Sequence, residues 1–174
     1  MASERGRFAS QVIIVNGPPG AGKTSVTAEL RLLLDNTVAI SGDALRGFAP
    51  ADARRHLGGG ATHRAAGVLA RAYLELGALR VIFDYPCLRA AHFRAFGEAL
   101  PVGVEPKVFT LWPALETLLE RESRAPKASL GAADYHREMA RNLGSMGEIL
   151  DAAALTPALA ARFIHEQCLE TPHL

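Results

Sequence analysis

Gln11-Val-Ile-Ile-Val-Asn16 followed by Gly17-Pro-Pro-Gly-Ala-Gly-Lys-Thr-Ser25 is the stretch that decides the fold. Gln11 to Asn16 is a short β-branched run, which reads as a strand buried on both faces, as in a parallel sheet. Gly17 to Gly22 is a Gly/Pro loop, and Lys23 to Leu34 then has helical spacing, with Val26, Leu30 and Leu33 or Leu34 on one side. Gly17 to Thr24 matches G-x-x-x-x-G-K-[ST] without a gap, in the strand–loop–helix context that the pattern requires. Each part has a physical task. Glycines let the backbone wrap closely and aim successive N–H groups inward. The helix N-terminus adds a positive dipole end for anionic oxygens. Lys23 is placed to reach β- and γ-phosphates, and Thr24 to set its hydroxyl on Mg²⁺. The nucleotide-binding set is therefore Gly17, Pro18, Pro19, Gly20, Ala21, Gly22, Lys23, Thr24 and Ser25. ATP and GTP remain alternatives as donor.

Outward from this loop, strands and helices alternate. Strands are expected at Thr37 to Ser41, Arg80 to Tyr85, Lys107 to Trp112 and, weakly, Glu148 to Ala152. Helices are expected at Ala61 to Leu76, Arg89 to Leu100, from Pro113 onward, at Tyr135 to Leu143, and from Thr156-Pro157 to about Cys168. Residues 42–60 read as a loop with short helical pieces. The alternation predicts an α/β domain with a mostly parallel sheet and right-handed crossovers. With 174 residues, no repeat and no linker, residues 1–174 form one domain, since a domain runs to roughly 100–200 residues.

Composition excludes several classes. Hydrophobic residues make up 49% and charged residues 21%, enough for a packed core and against disorder. The net charge of +1 gives no global nucleic-acid or membrane signature. Cys87 and Cys168 lie far apart and no Cys/His cluster is present, so buried free thiols are expected rather than a zinc site or a disulfide. The N-terminal residues carry no apolar run of leader length, and a cytoplasmic protein without membrane association is the expectation. Of the 19 basic residues only Lys23, Lys107 and Lys127 are lysines, and one of them occupies the position where the loop motif needs it.

Four further places bear on what happens to a bound triphosphate. Ligands of open α/β sheets sit beyond the carboxyl ends of the strands. Asp43, in Ser41-Gly-Asp-Ala-Leu-Arg46, lies just there, where a carboxylate can accept the proton of an attacking hydroxyl. The alternative for Asp43 is a helix N-cap, with Arg46 solvated. Otherwise Arg46, one helical turn on, binds an anionic group of the acceptor or orients Asp43. Asp84 ends an apolar strand in the Walker B manner, which suits the Mg²⁺ shell, contact with substrate, or a rival base role. Arg121 and Arg124, with Lys127, sit at a helix end running into a Pro- and Gly-containing segment at about 121–135. This reads as a lid whose arginines stabilise a transferring phosphoryl group. Arg46, Arg54, Arg55, Arg64 and Arg71 form either a solvated basic face or an acceptor pocket for an anion. Aromatic residues at 6% give little support for a single-strand stacking platform, and Trp112 is expected to pack at the end of its strand.

These residues, the loop GPPGAGKTS, SGDALR, the strand ending in Asp84 and LERESRAP, resemble those of the small P-loop kinases. That group includes chloramphenicol phosphotransferase, gluconate kinase, zeta toxins and the kinase domain of polynucleotide 5′-kinase. The resemblance implies a three-layer α/β/α fold with a five-stranded sheet in order 2-3-1-4-5. It also implies Asp43 as general base and lid arginines on the phosphates. The Gly-Gly cluster that shikimate and gluconate kinases carry after the third strand is replaced here by Asp84-Tyr-Pro-Cys87, and Gly58-Gly-Gly60 stands elsewhere. The expectation is an ATP- and Mg²⁺-dependent phosphotransferase acting on a hydroxyl of a small molecule, antibiotic or sugar-like. The catalytic residues are Asp43, Lys23, Arg121 and Arg124; Asp43, Arg46 and Asp84 meet substrate, and Thr24 and Asp84 hold the metal. The alternatives are a nucleic-acid 5′-hydroxyl kinase and a nucleotide-dependent ATPase or switch.

Overall fold

A computed structural model of the chain describes residues 11–58, 60–124 and 131–169. The first strand, β1 (Gln11–Asn16), leads through the glycine loop into α1 (Lys23–Leu33). Then follow β2 (Thr37–Ser41), α2 (Gly42–Gly47), α3 (Ala51–Leu57), α4 (Ala61–Glu75), β3 (Arg80–Asp84), α5 (Ala90–Gly97) and β4 (Pro106–Leu111). The chain continues with α6 (Leu115–Arg124), α7 (Ala132–Ala140), a 3₁₀ turn (Leu143–Ser145), β5 (Glu148–Leu150) and α8 (Pro157–Leu169). All five strands are parallel, in the order β2-β3-β1-β4-β5, as the resemblance implied.

β1 is central, and Val12, Ile13, Ile14 and Val15 are each at most 1% exposed. Alternation sends their side chains to opposite faces. Ile13 and Val15 join Val26 and Leu30 of α1 and Ala161 and Ile164 of α8 on one face. Val12 and Ile14 join Ala66 and Ala70 of α4 and Phe96 of α5 on the other. Burying each of these Val, Ile, Leu and Phe side chains stabilises the fold by about 2 kcal/mol. Two helical layers thus clamp one sheet, and every strand's carboxyl end is delivered to the same edge. Cys87 and Cys168 are buried free thiols, as expected.

Element bounds shift where local chemistry intervenes. The fourth helix of the sequence reading does not begin at Pro113: Ala114 accepts the Leu118 N–H, and α6 starts at Leu115. The helix expected from Tyr135 starts three residues earlier, behind Gly131 in a left-handed conformation (φ 107°). Of the lid segment expected at 121–135, residues 125–130, with Lys127, lie outside the described residues. Among the described residues no helix is long and apolar enough to cross a membrane.

Candidate active site

The loop between β1 and α1 turns on glycines that no other residue replaces easily. Gly17 (φ 145°) runs beside β4, where a Cβ would stand 2.7 Å from the Leu111 carbonyl oxygen, and Gly22 holds φ 95° as the residue ahead of α1. Asn16 locks the base of the loop. Fully buried, it accepts the Cys87 N–H at 2.7 Å and donates to the Thr110 hydroxyl at 3.0 Å, so β1 is tied to the β3–α5 connection and to β4 at once. Asn16 was visible in the sequence only as the polar end of an apolar strand.

Lys23 is 9% exposed, and its ammonium donates to the Pro18 carbonyl at 3.0 Å. Burial lowers its pKa, and the charges of Asp84 and Asp43 oppose that shift. Asp84 closes β3 in register with Val15 of β1 and Ser41 of β2, which sets it beside the loop. It is 7% exposed; burial raises its pKa, while Lys23 and a hydrogen bond from the Thr24 hydroxyl hold it down and Asp43 adds to the rise. Thr24 and Asp84, paired from sequence as the metal site, therefore meet in space. A hydroxyl beside a carboxylate is a hard oxygen donor set that fits Mg²⁺.

Asp43 is not the N-cap of its helix. Ser41 takes that role, its hydroxyl accepting the Ala44 N–H at 3.4 Å, and Asp43 stands exposed in the first turn of α2. Its charge acts on Lys23, on Asp84 and on Tyr85. Asp43 follows Gly42, which packs on the Tyr85 ring, and precedes Leu45 and Arg46, which line a cleft of about 430 Å³ whose wall also includes His63, Tyr85, His92 and Tyr135. Burial raises the pKa of the Tyr85 phenol, and the adjacent Arg46 guanidinium opposes it. His63 is 4% exposed, stacks on His92 with ring centroids 4.2 Å apart, and sets Nε2 3.1 Å from the Pro86 carbonyl oxygen. Burial, with His92 beside it, lowers the His63 pKa to about 4, so the ring is neutral and its Nε2–H donates to Pro86. Tyr85, His63, His92 and Tyr135 were not singled out as site residues in the sequence because they come from separate segments, the β3–α5 connection, α4, α5 and α7.

The arginines separate. Arg121 donates to the Gly20 carbonyl at 3.0 Å and reaches the phosphate loop from α6. Arg124 pairs instead with Glu120 at 2.6 Å on the exposed face of the same helix. Of the basic group between residues 46 and 71, Arg46 and Arg54 line the cleft, but Arg54 is engaged with the Ala49 carbonyl at 2.9 Å. Arg64 pairs with Glu98 at 3.6 Å and Arg71 with Glu75 at 2.7 Å. Trp112 stacks on His136 at 4.1 Å at the end of β4, the packing role expected for it. A second cavity, of about 270 Å³, lies on the other side of the loop between Gly20, Ser25, Arg121 and the segment from Ala152 to Pro157.

The described fold matches solved structures over nearly its whole length. A tunicamycin resistance protein from Deinococcus radiodurans is 24% identical, with a TM-score of 0.64 over 91% of this chain and 95% of its own. A sugar kinase from Janibacter is 17% identical, with a TM-score of 0.64 over 90% and 92%. A gluconokinase from Sinorhizobium meliloti is 19% identical, with a TM-score of 0.59 over 96% and 99%. Among curated proteins there is no match. The fold is that of the small P-loop kinases. Residues 12–142 match the family profile described as an AAA domain, and the chain belongs to that family.

Proposed function

We propose that the chain transfers the γ-phosphoryl group of ATP, with Mg²⁺, to a hydroxyl of a small molecule. The carrying observation is the position of Asp43: it follows Ser41, in register with Asp84, and Gly42, packed on Tyr85, and stands one turn before Arg46 of the cleft wall. A donor held on the loop and an acceptor held in the cleft would meet at this carboxylate. Phosphoryl transfer asks the protein mainly for positioning and charge compensation.

In this reading the loop N–H groups and Lys23 hold the β- and γ-phosphates, and an incoming polyphosphate restores the charge environment that burial takes from Lys23. Thr24 and Asp84 hold Mg²⁺, which when bound withdraws charge from the phosphoryl oxygens. Asp84 is buried and assigned to the metal, which leaves the exposed Asp43 to orient the acceptor hydroxyl and take its proton. Arg121, anchored at Gly20, lies where it can bridge transferring oxygens. The nucleoside would lie toward the cavity between Gly20 and Pro157, which adjoins the loop.

A small acceptor is favoured over a nucleic-acid end because, among the described residues, Arg64 and Arg71 are paired with carboxylates and Arg54 with backbone, which breaks up the basic group between residues 46 and 71. The likeness to a tunicamycin resistance protein and to sugar kinases puts antibiotic and sugar-like hydroxyls first in the search. The test is transfer of label from γ-labelled ATP to aminoglycosides, other antibiotics, sugars, nucleosides and 5′-hydroxyl oligonucleotides, with Lys23→Ala as control. Label on a small acceptor, lost in the variant, is expected; hydrolysis alone under every condition rejects the reading.

A further inference from the structure

The 430 Å³ cleft is not closed on its far side. A larger groove of about 880 Å³ continues from it between α2, α3 and α4, and Leu45, Leu57, Gly60, Ala61 and Ala65 belong to both walls. Beyond these the groove is lined by Phe48, Val68, Leu69 and Ala72. Phe48 is 83% and Val68 58% exposed, which is costly apolar surface for a face with no partner. The one charged residue in the groove is Arg64, and Glu98 pairs with it.

The polar groups of the cleft point the same way. His63 Nε2 is engaged with the Pro86 carbonyl, His92 Nδ1 accepts the Leu88 N–H at 3.0 Å, and Arg54 braces the Ala49 carbonyl. Among the described residues His63 Nδ1 is buried without a partner, and Arg46, Tyr85 and Tyr135 line the same cleft, so a hydroxyl-bearing head meets polar groups there that the groove lacks. A molecule with one polar end and an apolar body matches the two walls in turn.

From this continuity we infer that the acceptor is amphiphilic: a hydroxyl-bearing head sits in the Tyr85 cleft beside Asp43, and an apolar tail lies along the groove past Val68 and Phe48. The inference rests on the reading of that cleft as the acceptor side. It departs from a sugar-like acceptor in requiring the tail, and from a protein docking face in requiring that head and tail be one molecule.

The probes are n-alkyl β-glucosides from ethyl to decyl, each below its micelle-forming concentration, titrated calorimetrically into the full chain. Because all share one head, the comparison isolates the tail. The dissociation constant is expected to fall about 3- to 4-fold per added methylene until the groove is filled. Val68→Asp and Phe48→Ser, both at exposed positions, are expected to weaken the decyl member at least 10-fold and leave the ethyl member and nucleotide affinity unchanged. A flat series overturns the inference, as does a steep series that neither variant changes. So does a flat series from a protein that self-associates through Phe48 and Val68. Binding needs no transfer, so the kinase reading is judged separately with labelled ATP. Transfer to short and long members alike with a flat series keeps that reading and removes the tail; a steep series without transfer to any member overturns the inference that the groove holds the acceptor and leaves the kinase reading to the wider acceptor screen.

Discussion

Gly42 and Tyr85 leave no space between them: a Cβ on Gly42 would run into the Tyr85 ring. The junction of β2 and α2 is therefore pressed directly onto the residue that follows β3, and this contact sets where Asp43 stands relative to the cleft. Gly42→Ala forces the ring or the helix to move. Overpacking of this kind costs about 1–3 kcal/mol. The expected result is a lower unfolding midpoint and reduced transfer, with nucleotide affinity retained, read by thermal unfolding and nucleotide titration on the same preparation.

Asp43 and Asp84 make separable predictions because one is exposed in the first turn of α2 and the other is buried against Lys23 and Thr24. Asp43→Asn should lower kcat by about 10²- to 10⁴-fold, with the Mg²⁺ concentration for half-maximal rate unchanged. Asp84→Asn should raise that Mg²⁺ requirement. Wild-type turnover in Asp43→Asn would remove its base role.

Arg121 and Arg124 lie one turn apart on α6, yet only Arg121 is bonded to the phosphate loop. Arg121→Ala should reduce transfer by about 10²-fold, the scale of losing one transition-state donor. Arg124→Ala breaks an exposed pair with Glu120 and should change unfolding free energy by less than about 1 kcal/mol. Steady-state rates of the two variants, measured side by side, check the contrast.

His63 makes stability depend on pH. Its folded pKa, about 4, lies below the ordinary value of 6.5. The unfolded chain therefore binds the proton first as pH falls. The stabilisation is complete above pH 6.5 and is lost progressively down to about pH 4. The full loss is about 3 kcal/mol, and His92, also lowered by burial, adds in the same direction. Urea unfolding between pH 7.5 and pH 4.5 should show this slope, and His63→Gln, which keeps a donor for Pro86 but does not titrate, should flatten it.

The contiguous signals were legible because they are local. Val12 to Val15, Gly17 to Gly22 and Lys23-Thr24 act through neighbours along the chain, so strand, loop and helix follow from their order. The alternation of elements determined the α/β class for the same reason, and the strand order came with the resemblance to the small P-loop kinases. Tertiary structure alone decided the rest. It gave the cap to Ser41 and left Asp43 exposed beside Gly42, whose packing on Tyr85 joins that helix to the cleft. It split Arg121 from Arg124 by what each meets in space. It built the cleft from Arg46, His63, Tyr85, His92 and Tyr135, which no spacing along the chain links. A pocket is made by side chains of different elements converging across the sheet edge, and that convergence is a property of packing rather than of any one segment.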